Sequence, residues 1–95
     1  MRTYFAIVHK DPESAYGLEF PDLPGCFGAG DTFEAAVANA RNALLQHLET
    51  AAELGRTIPS VRTFEALMSD PDIRALAVNR PLVGISLSEE LVAGE

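Results

Sequence analysis

Few side chains in this sequence are of the types that perform acid–base, nucleophilic or metal chemistry. The histidines are His9 and His47, and the one cysteine is Cys26. Neither histidine has acidic and nucleophilic residues beside it in the sequence, so we expect structural or surface roles for both. Cys26 lies between apolar neighbours, a pattern that favours a small buried side chain over a reactive thiol. One cysteine can form neither an internal disulfide nor a zinc site by itself.

The carboxylates raise the question of metal-dependent nuclease chemistry. Two-metal hydrolysis requires several carboxylates that converge on ions about 4 Å apart. The first predicted strand has no acidic residue in its interior, while Asp11 falls in a turn, Glu19 on a strand and Asp22 in a corner. Ordinary solvated carboxylates explain these positions more simply. We therefore predict a protein with no enzymatic activity, no metal and no cofactor.

The net charge of the chain restricts the kinds of partner that it can bind. The 95 residues carry seven basic and fourteen acidic side chains, a formal charge of −7. Phosphate backbones repel such a chain, so we expect no binding to nucleic acid by this chain alone, and a basic partner instead. The alternative is that the charge only keeps a small protein soluble. No apolar run approaches the roughly 20 residues of a membrane span or the roughly 7–15 of a signal-peptide core, which predicts a cytoplasmic location.

The elements that must position these residues centre on a rigid corner. Pro21, Pro24 and Gly25 separate two short strand-like runs, 16–20 and 26–29. The prolines fix φ, and Gly25 permits a tight corner. Gly30 then turns the chain towards a helix.

The sequence on either side of this corner has the residue patterns of a strand and of a helix. Residues 1–9 form a first strand that is apolar on both faces. A helix is predicted over 33–54, with Asp31 as N-cap, Glu34 completing a capping box and Gly55 as C-cap. Its apolar stripe comprises Phe33, Val37, Ala40, Leu44, Leu48 and Ala51.

The C-terminal part has weaker patterns. A short second helix is predicted over 63–69, and 73–78 is apolar enough for a strand, with a helix over 72–76 as the alternative. Residues 83–87 are a last extended run, and a helix could begin at Ser88. The prediction is an α+β fold, an antiparallel sheet of three or four strands with one long helix on one face. We assign 1–82 to this domain and 83–95 to an extended tail.

Residues 16–54 resemble the HicB-type antitoxin family. The matching features follow in order: Y-G at 16–17, F-P-D-L-P-G-C-F at 20–27, G-D-T at 30–32, E-A at 34–35, and then an alanine-rich helix. The resemblance implies a partly formed ribonuclease-H-like domain, β-β-β-α-β, with a short second helix. It also implies that the protein neutralises a small basic RNA-cleaving toxin of the HicA type. Family members generally add a DNA-binding segment, and 83–91 resembles only the start of a ribbon-helix-helix.

Two surfaces are expected to serve such a function. One helix covers one face of a sheet, so we predict a homodimer or higher oligomer formed through the other face, with Tyr4, Ala6 and Val8 at the interface. The acidic contacts for a basic toxin are predicted to be Glu19, Asp22, Asp31 and Glu34. The alternative for Asp31 and Glu34 is that they only cap the helix. Two other functions stay open: a stand-alone structural or regulatory oligomer, and a residual ribonuclease.

Overall fold

The sheet has four antiparallel strands in the order β3-β2-β1-β4 in a computed structural model of the chain, which describes residues 2–57 and 61–87. The strands are β1 (Arg2–His9), β2 (Tyr16–Glu19), β3 (Phe27–Gly30) and β4 (Leu82–Leu87). The predicted α+β class and the first three strands are confirmed, with β3 displaced by one residue towards the C-terminus.

β4 belongs to the sheet. Residues 83–87 were assigned to a tail, but Leu82–Leu87 pair with β1 in one continuous register, with Tyr4 opposite Ile85. The sheet therefore extends beyond residue 82, because Ile85 and Leu87 supply buried side chains to the core. The helix predicted from Ser88 lies outside the described residues.

Helix α1 (Phe33–Glu53) begins at Phe33, as predicted. Thr32 is the N-cap, and its hydroxyl oxygen accepts a hydrogen bond from the Ala35 N–H at 3.0 Å. The prediction of Asp31 as N-cap was wrong, because two adjacent residues could both cap and the extended backbone falls on Thr32. Glu34 is thus the second helical residue, where its charge favours the helix dipole without completing a capping box.

The end of α1 was predicted correctly. Gly55 has φ +69°, its N–H donates to the Ala52 carbonyl, and the Arg56 N–H donates to the Ala51 carbonyl. These two bonds define a Schellman motif, which satisfies carbonyls that the helix itself leaves unpaired.

α1 packs very closely on β3. Its buried residues are Ala36, Ala40, Leu44, Leu48 and Ala51. A Cβ atom on Gly28 would collide with the backbone of Ala40, so only glycine allows this approach. Phe33, predicted within the apolar stripe, is 38% exposed at the start of the helix.

The face of β1 beneath α1 is the one that we predicted for self-association. Tyr4, Ala6 and Val8 lie in the same core cluster as Ala40 and Leu44 and are at most 5% exposed. They are not available to another chain, and the prediction of an interface there was wrong. Both faces of β1 are apolar, so alternation alone could not show which one the helix covers.

Two short helices, α2 (Phe64–Met68) and α3 (Pro71–Leu76), follow α1, and α2 contacts the second face of β1. The Phe64 ring meets the Phe5 ring edge-on with centroids 5.9 Å apart. α2 confirms the predicted short helix. The strand predicted over 73–78 was wrong and the helical alternative correct, because Asp70 caps α3 and Pro71 occupies its first turn.

Candidate functional site

The corner between β2 and β3 consists of two successive β-turns. The Leu23 N–H donates to the Phe20 carbonyl at 3.1 Å, and the Cys26 N–H donates to the Leu23 carbonyl at 3.0 Å. Each turn has proline at its second position, Pro21 and Pro24. Gly25, third in the second turn, has φ +90°, which is the requirement of a type II turn. Between them Leu23 is fully buried, so the corner is rigid and anchored in the core.

Asp22 ties this corner to the segment before α2. One carboxylate oxygen accepts from the Arg62 Nε at 2.6 Å and the other from the Arg62 backbone N–H at 3.1 Å. The guanidinium also donates to Asp70 at 3.1 Å. The hydrogen bonds to Asp22 and then Asp70 raise the pKa of Arg62. The Asp22 side chain is only 9% exposed, so its role is structural and it is closed to a partner.

The four acidic residues that we predicted as toxin contacts do not form one cluster. Glu19 lies opposite Phe27 at one end of β3, whereas Asp31 and Glu34 follow Gly30 at the other end. Glu19 is held by the His9 ring at 2.8 Å and stays partly exposed. Asp31 and Glu34 are exposed. Glu19 is therefore separated from Asp31 and Glu34 by the length of β3.

Phe27 is the most prominent side chain near the corner. It is 54% exposed, and its ring lies across Gly17 on the sheet face opposite α1. A groove of about 340 Å³ opens on one side of it, and we call this the corner groove. Its main lining residues are Glu19, Pro21, Pro24, Phe27, Ile73 and Leu76. Leu76 is 43% exposed, so two large apolar side chains lie open beside one carboxylate.

A second cleft, of about 430 Å³, lies on the α1 side of Phe27 and contains Cys26, His47 and Arg56 among its lining residues. Cys26 is buried, as predicted, and burial raises the pKa of its thiol. Nucleophilic cysteines require the opposite shift. Burial of the Cys26 thiol therefore works against an activated thiolate beside His47.

Other kinds of site are not evident in the described residues. Within 2–57 and 61–87, no three histidine, cysteine or acidic side chains are grouped so that they could hold a metal ion. The helices in these same ranges include none that is long and apolar enough to cross a bilayer.

Sequence reasoning missed the two exposed apolar side chains of the corner groove, Phe27 and Leu76. The signal for Phe27 was present, since alternation places it on the face opposite Gly28, which must lie beneath α1. Leu76 carried no such signal, because it was assigned to a strand that is a helix.

Comparison with known proteins adds independent evidence. Residues 4–91 match the model of a family described as HicB-like antitoxins of bacterial toxin–antitoxin systems. A 14.9 kDa protein from the rep–hol intergenic region of Haemophilus phage HP1 is 35% identical over 74 residues. That match covers 78% of this chain but 56% of the phage protein, so the chain spans little more than half of this relative.

Solved structures share the fold. The antitoxin HicB of Burkholderia pseudomallei is 30% identical and superposes with a TM-score of 0.83, over all of this chain and 70% of that one. A chain of the HicA3–HicB3 toxin–antitoxin complex matches with a TM-score of 0.71 and 27% identity, over 92% of this chain and 99% of that one. The four-stranded sheet with its long helix is thus the architecture of HicB antitoxins.

Proposed function

The chain belongs to the family of HicB-like antitoxins, and we propose that it neutralises a small basic RNA-cleaving toxin of the HicA type by binding it directly. In this proposal the antitoxin performs no catalysis and uses no cofactor. It acts in the cytoplasm, where the toxin's RNA substrates are, and does not bind nucleic acid by itself. The observation that carries the proposal is the fold match to a chain of the HicA3–HicB3 complex.

Charge supports this function. A formal charge of −7 draws a basic protein towards the antitoxin and raises the rate of encounter. Asp31 and Glu34, both exposed, suit long-range attraction. Glu19 suits closer contact with a basic side chain, since its carboxylate remains partly exposed beside His9.

We place the tightest contact with the toxin at the corner groove. Interfaces draw most of their energy from a few apolar or aromatic anchors that lose contact with water. Phe27 and Leu76 are such anchors, and the rigid corner holds the groove open without further ordering. A toxin segment with an apolar side chain next to a lysine or arginine would complement this groove and Glu19.

Co-expression with a small basic toxin of the HicA type tests the function. We expect the antitoxin to restore growth to cells that produce the toxin and to co-purify with it. The proposal would be refuted for this pair of proteins if growth is not restored and no complex forms.

Two matched leucine variants test the surface. Leu76→Ala removes an apolar anchor of the groove and should weaken toxin binding by about 1–2 kcal/mol, roughly 5- to 30-fold in Kd. Leu54→Ala, which truncates a leucine that is 59% exposed at the end of α1, should leave Kd unchanged. Calorimetric titration measures both. An equal loss for the two variants, or a loss only for Leu54→Ala, would place the toxin elsewhere on the antitoxin.

A further inference from the structure

Two clefts of opposite charge meet at the corner between β2 and β3. The corner groove is lined by one charged side chain, Glu19. We call the second cleft, between the corner, α1 and the segment that follows α1, the α1 cleft. Its one lining residue with a permanent charge is Arg56. The two clefts share Gly25, Cys26 and Phe27, so they lie on either side of the start of β3.

The α1 cleft has the chemistry of a carboxylate site. The described residues that line it include no acidic side chain. The guanidinium of Arg56 offers a charge and several N–H donors, a combination that suits a carboxylate. Four further lining side chains can each donate a hydrogen bond: Gln46, His47, Thr50 and Thr57.

The charge of Arg56 is not neutralised within the described part of the chain. Arg56 is exposed, and no carboxylate in residues 2–57 and 61–87 forms an ion pair with it. Arg62 differs, because Asp22 and Asp70 both accept hydrogen bonds from its guanidinium. The fold holds Arg56 by its main chain, whose N–H donates to the Ala51 carbonyl at 2.8 Å. Its side chain is therefore available to a partner.

We infer that the α1 cleft receives an acidic side chain of the toxin while the corner groove receives a basic one. This inference rests on the proposed function and adds its charge specificity. Glu19 and Arg56 together select a toxin surface on which a cation and a carboxylate lie on either side of an apolar residue that meets Phe27. A basic protein without that carboxylate leaves Arg56 covered and unpaired, which weakens its binding. Arg56 is thus a specificity-determining residue.

The carboxylate belongs to the protein that fills the corner groove and not to a free small anion. A molecule with a formal charge of −7 repels free anions, and one arginine compensates for little of that repulsion. A carboxylate on a basic toxin arrives with the toxin and then binds at a high effective concentration. An interface of standard size covers about 800 Å² on each partner, which allows it to include two adjoining clefts.

Two charge reversals of equal size test the inference, with the toxin that passes the co-expression experiment. Arg56→Glu places a carboxylate in the α1 cleft and should raise the Kd for this toxin by about tenfold or more. Arg41→Glu is the matched control, since Arg41 is exposed on α1 and lines neither cleft. It makes the chain equally more negative and should bind the basic toxin as tightly as wild type or more tightly. Calorimetric titration measures both.

A charge swap then identifies the toxin's carboxylate. Each acidic residue of the toxin is replaced by lysine in turn. One of these variants should lose affinity for the wild-type antitoxin and recover it with Arg56→Glu. Arg56→Gln keeps a hydrogen-bond donor but removes the cation, and it should raise Kd by about threefold. This variant serves as the test if Arg56→Glu fails to fold.

The possible failures are distinguishable. Equal Kd values for Arg56→Glu and Arg41→Glu, wild-type affinity in Arg56→Gln, or the absence of a compensating toxin variant would each overturn the inference and leave the proposed function intact. A toxin that does not bind the wild-type antitoxin would refute the proposed function, and this inference with it.

Discussion

Carboxylates around the corner illustrate how neighbours decide the role of a residue. Asp22 receives two hydrogen bonds from Arg62 and is nearly buried, so it contributes to the fold. The Glu19 carboxylate pairs with the His9 ring but remains partly exposed. Asp31 is exposed and contributes negative charge near the start of α1. The residue type alone says only that each can accept hydrogen bonds.

Tyr4 supplies a test at this scale. Its ring is 1% exposed, and its hydroxyl has no hydrogen-bond partner among the described residues. A buried polar group without a partner costs about 1–3 kcal/mol. Tyr4→Phe should therefore be as stable as wild type or more stable by about 1 kcal/mol. Urea denaturation measures the free energy of unfolding.

The control for this variant is Tyr16→Phe, which removes a hydroxyl from a half-buried ring and should change stability by less than about 0.5 kcal/mol. A loss of more than about 1 kcal/mol in Tyr4→Phe would show that the Tyr4 hydroxyl is bonded in solution.

Single residues were predictable from sequence where the backbone imposes the requirement. Gly25 and Gly55 both adopt the positive φ expected of them, since turn and helix end demand it. The partner of Asp22 was not predictable. Arg62 lies 40 positions away, and no period or motif links the two.

At the scale of elements, long periodic segments were predicted well and short ones poorly. α1 has five buried positions that define one face, enough to identify a helix. α3 has six residues and one buried side chain, Ile73, so its apolar character was compatible with either structure. Its N-cap Asp70 followed by Pro71 was the decisive signal.

The α2–α3 junction predicts a response to acid. The pKa of Asp70 is lowered, first by the Asp72 backbone N–H and then by Arg62. A lowered folded-state pKa contributes stability that is fully present above the carboxyl's unfolded pKa and is lost as pH falls through the folded-state value. Asp70→Asn keeps the capping oxygen but not the charge.

The free energy of unfolding of Asp70→Asn should therefore depend less on pH below about pH 4 than that of wild type. Urea denaturation from pH 2 to 5 measures it. Asp72→Asn removes a charge from the same turn without touching Arg62 and should retain the wild-type slope. Parallel curves for wild type and Asp70→Asn would contradict the role of this carboxylate.

At the scale of the whole molecule, the fold class was predictable but the use of its faces was not. Both sides of β1 are apolar, and only the structure shows that α1 covers the side of Tyr4 while α2 contacts that of Phe5. The surface that we propose for a partner, the corner groove, lies on the side of the sheet that carries Glu19 and Phe27.

The charge of the whole molecule predicts the salt dependence of toxin binding. The association rate constant should fall by about tenfold or more between 50 and 500 mM NaCl, because salt screens long-range attraction. Phe27→Ala should raise the dissociation rate and leave this salt dependence intact. Stopped-flow fluorescence measures both rates. An association rate that is insensitive to salt would show that charge does not steer the encounter.

The contact between Gly28 and Ala40 has a consequence for how a partner is received. The backbones of helix and strand lie so close there, one residue from Phe27, that a Cβ atom on Gly28 would collide with Ala40. The surface that carries Phe27 is therefore preorganised, and docking sacrifices little conformational freedom on the antitoxin side. Under the proposed function, we expect rearrangement on binding in the partner rather than at this surface.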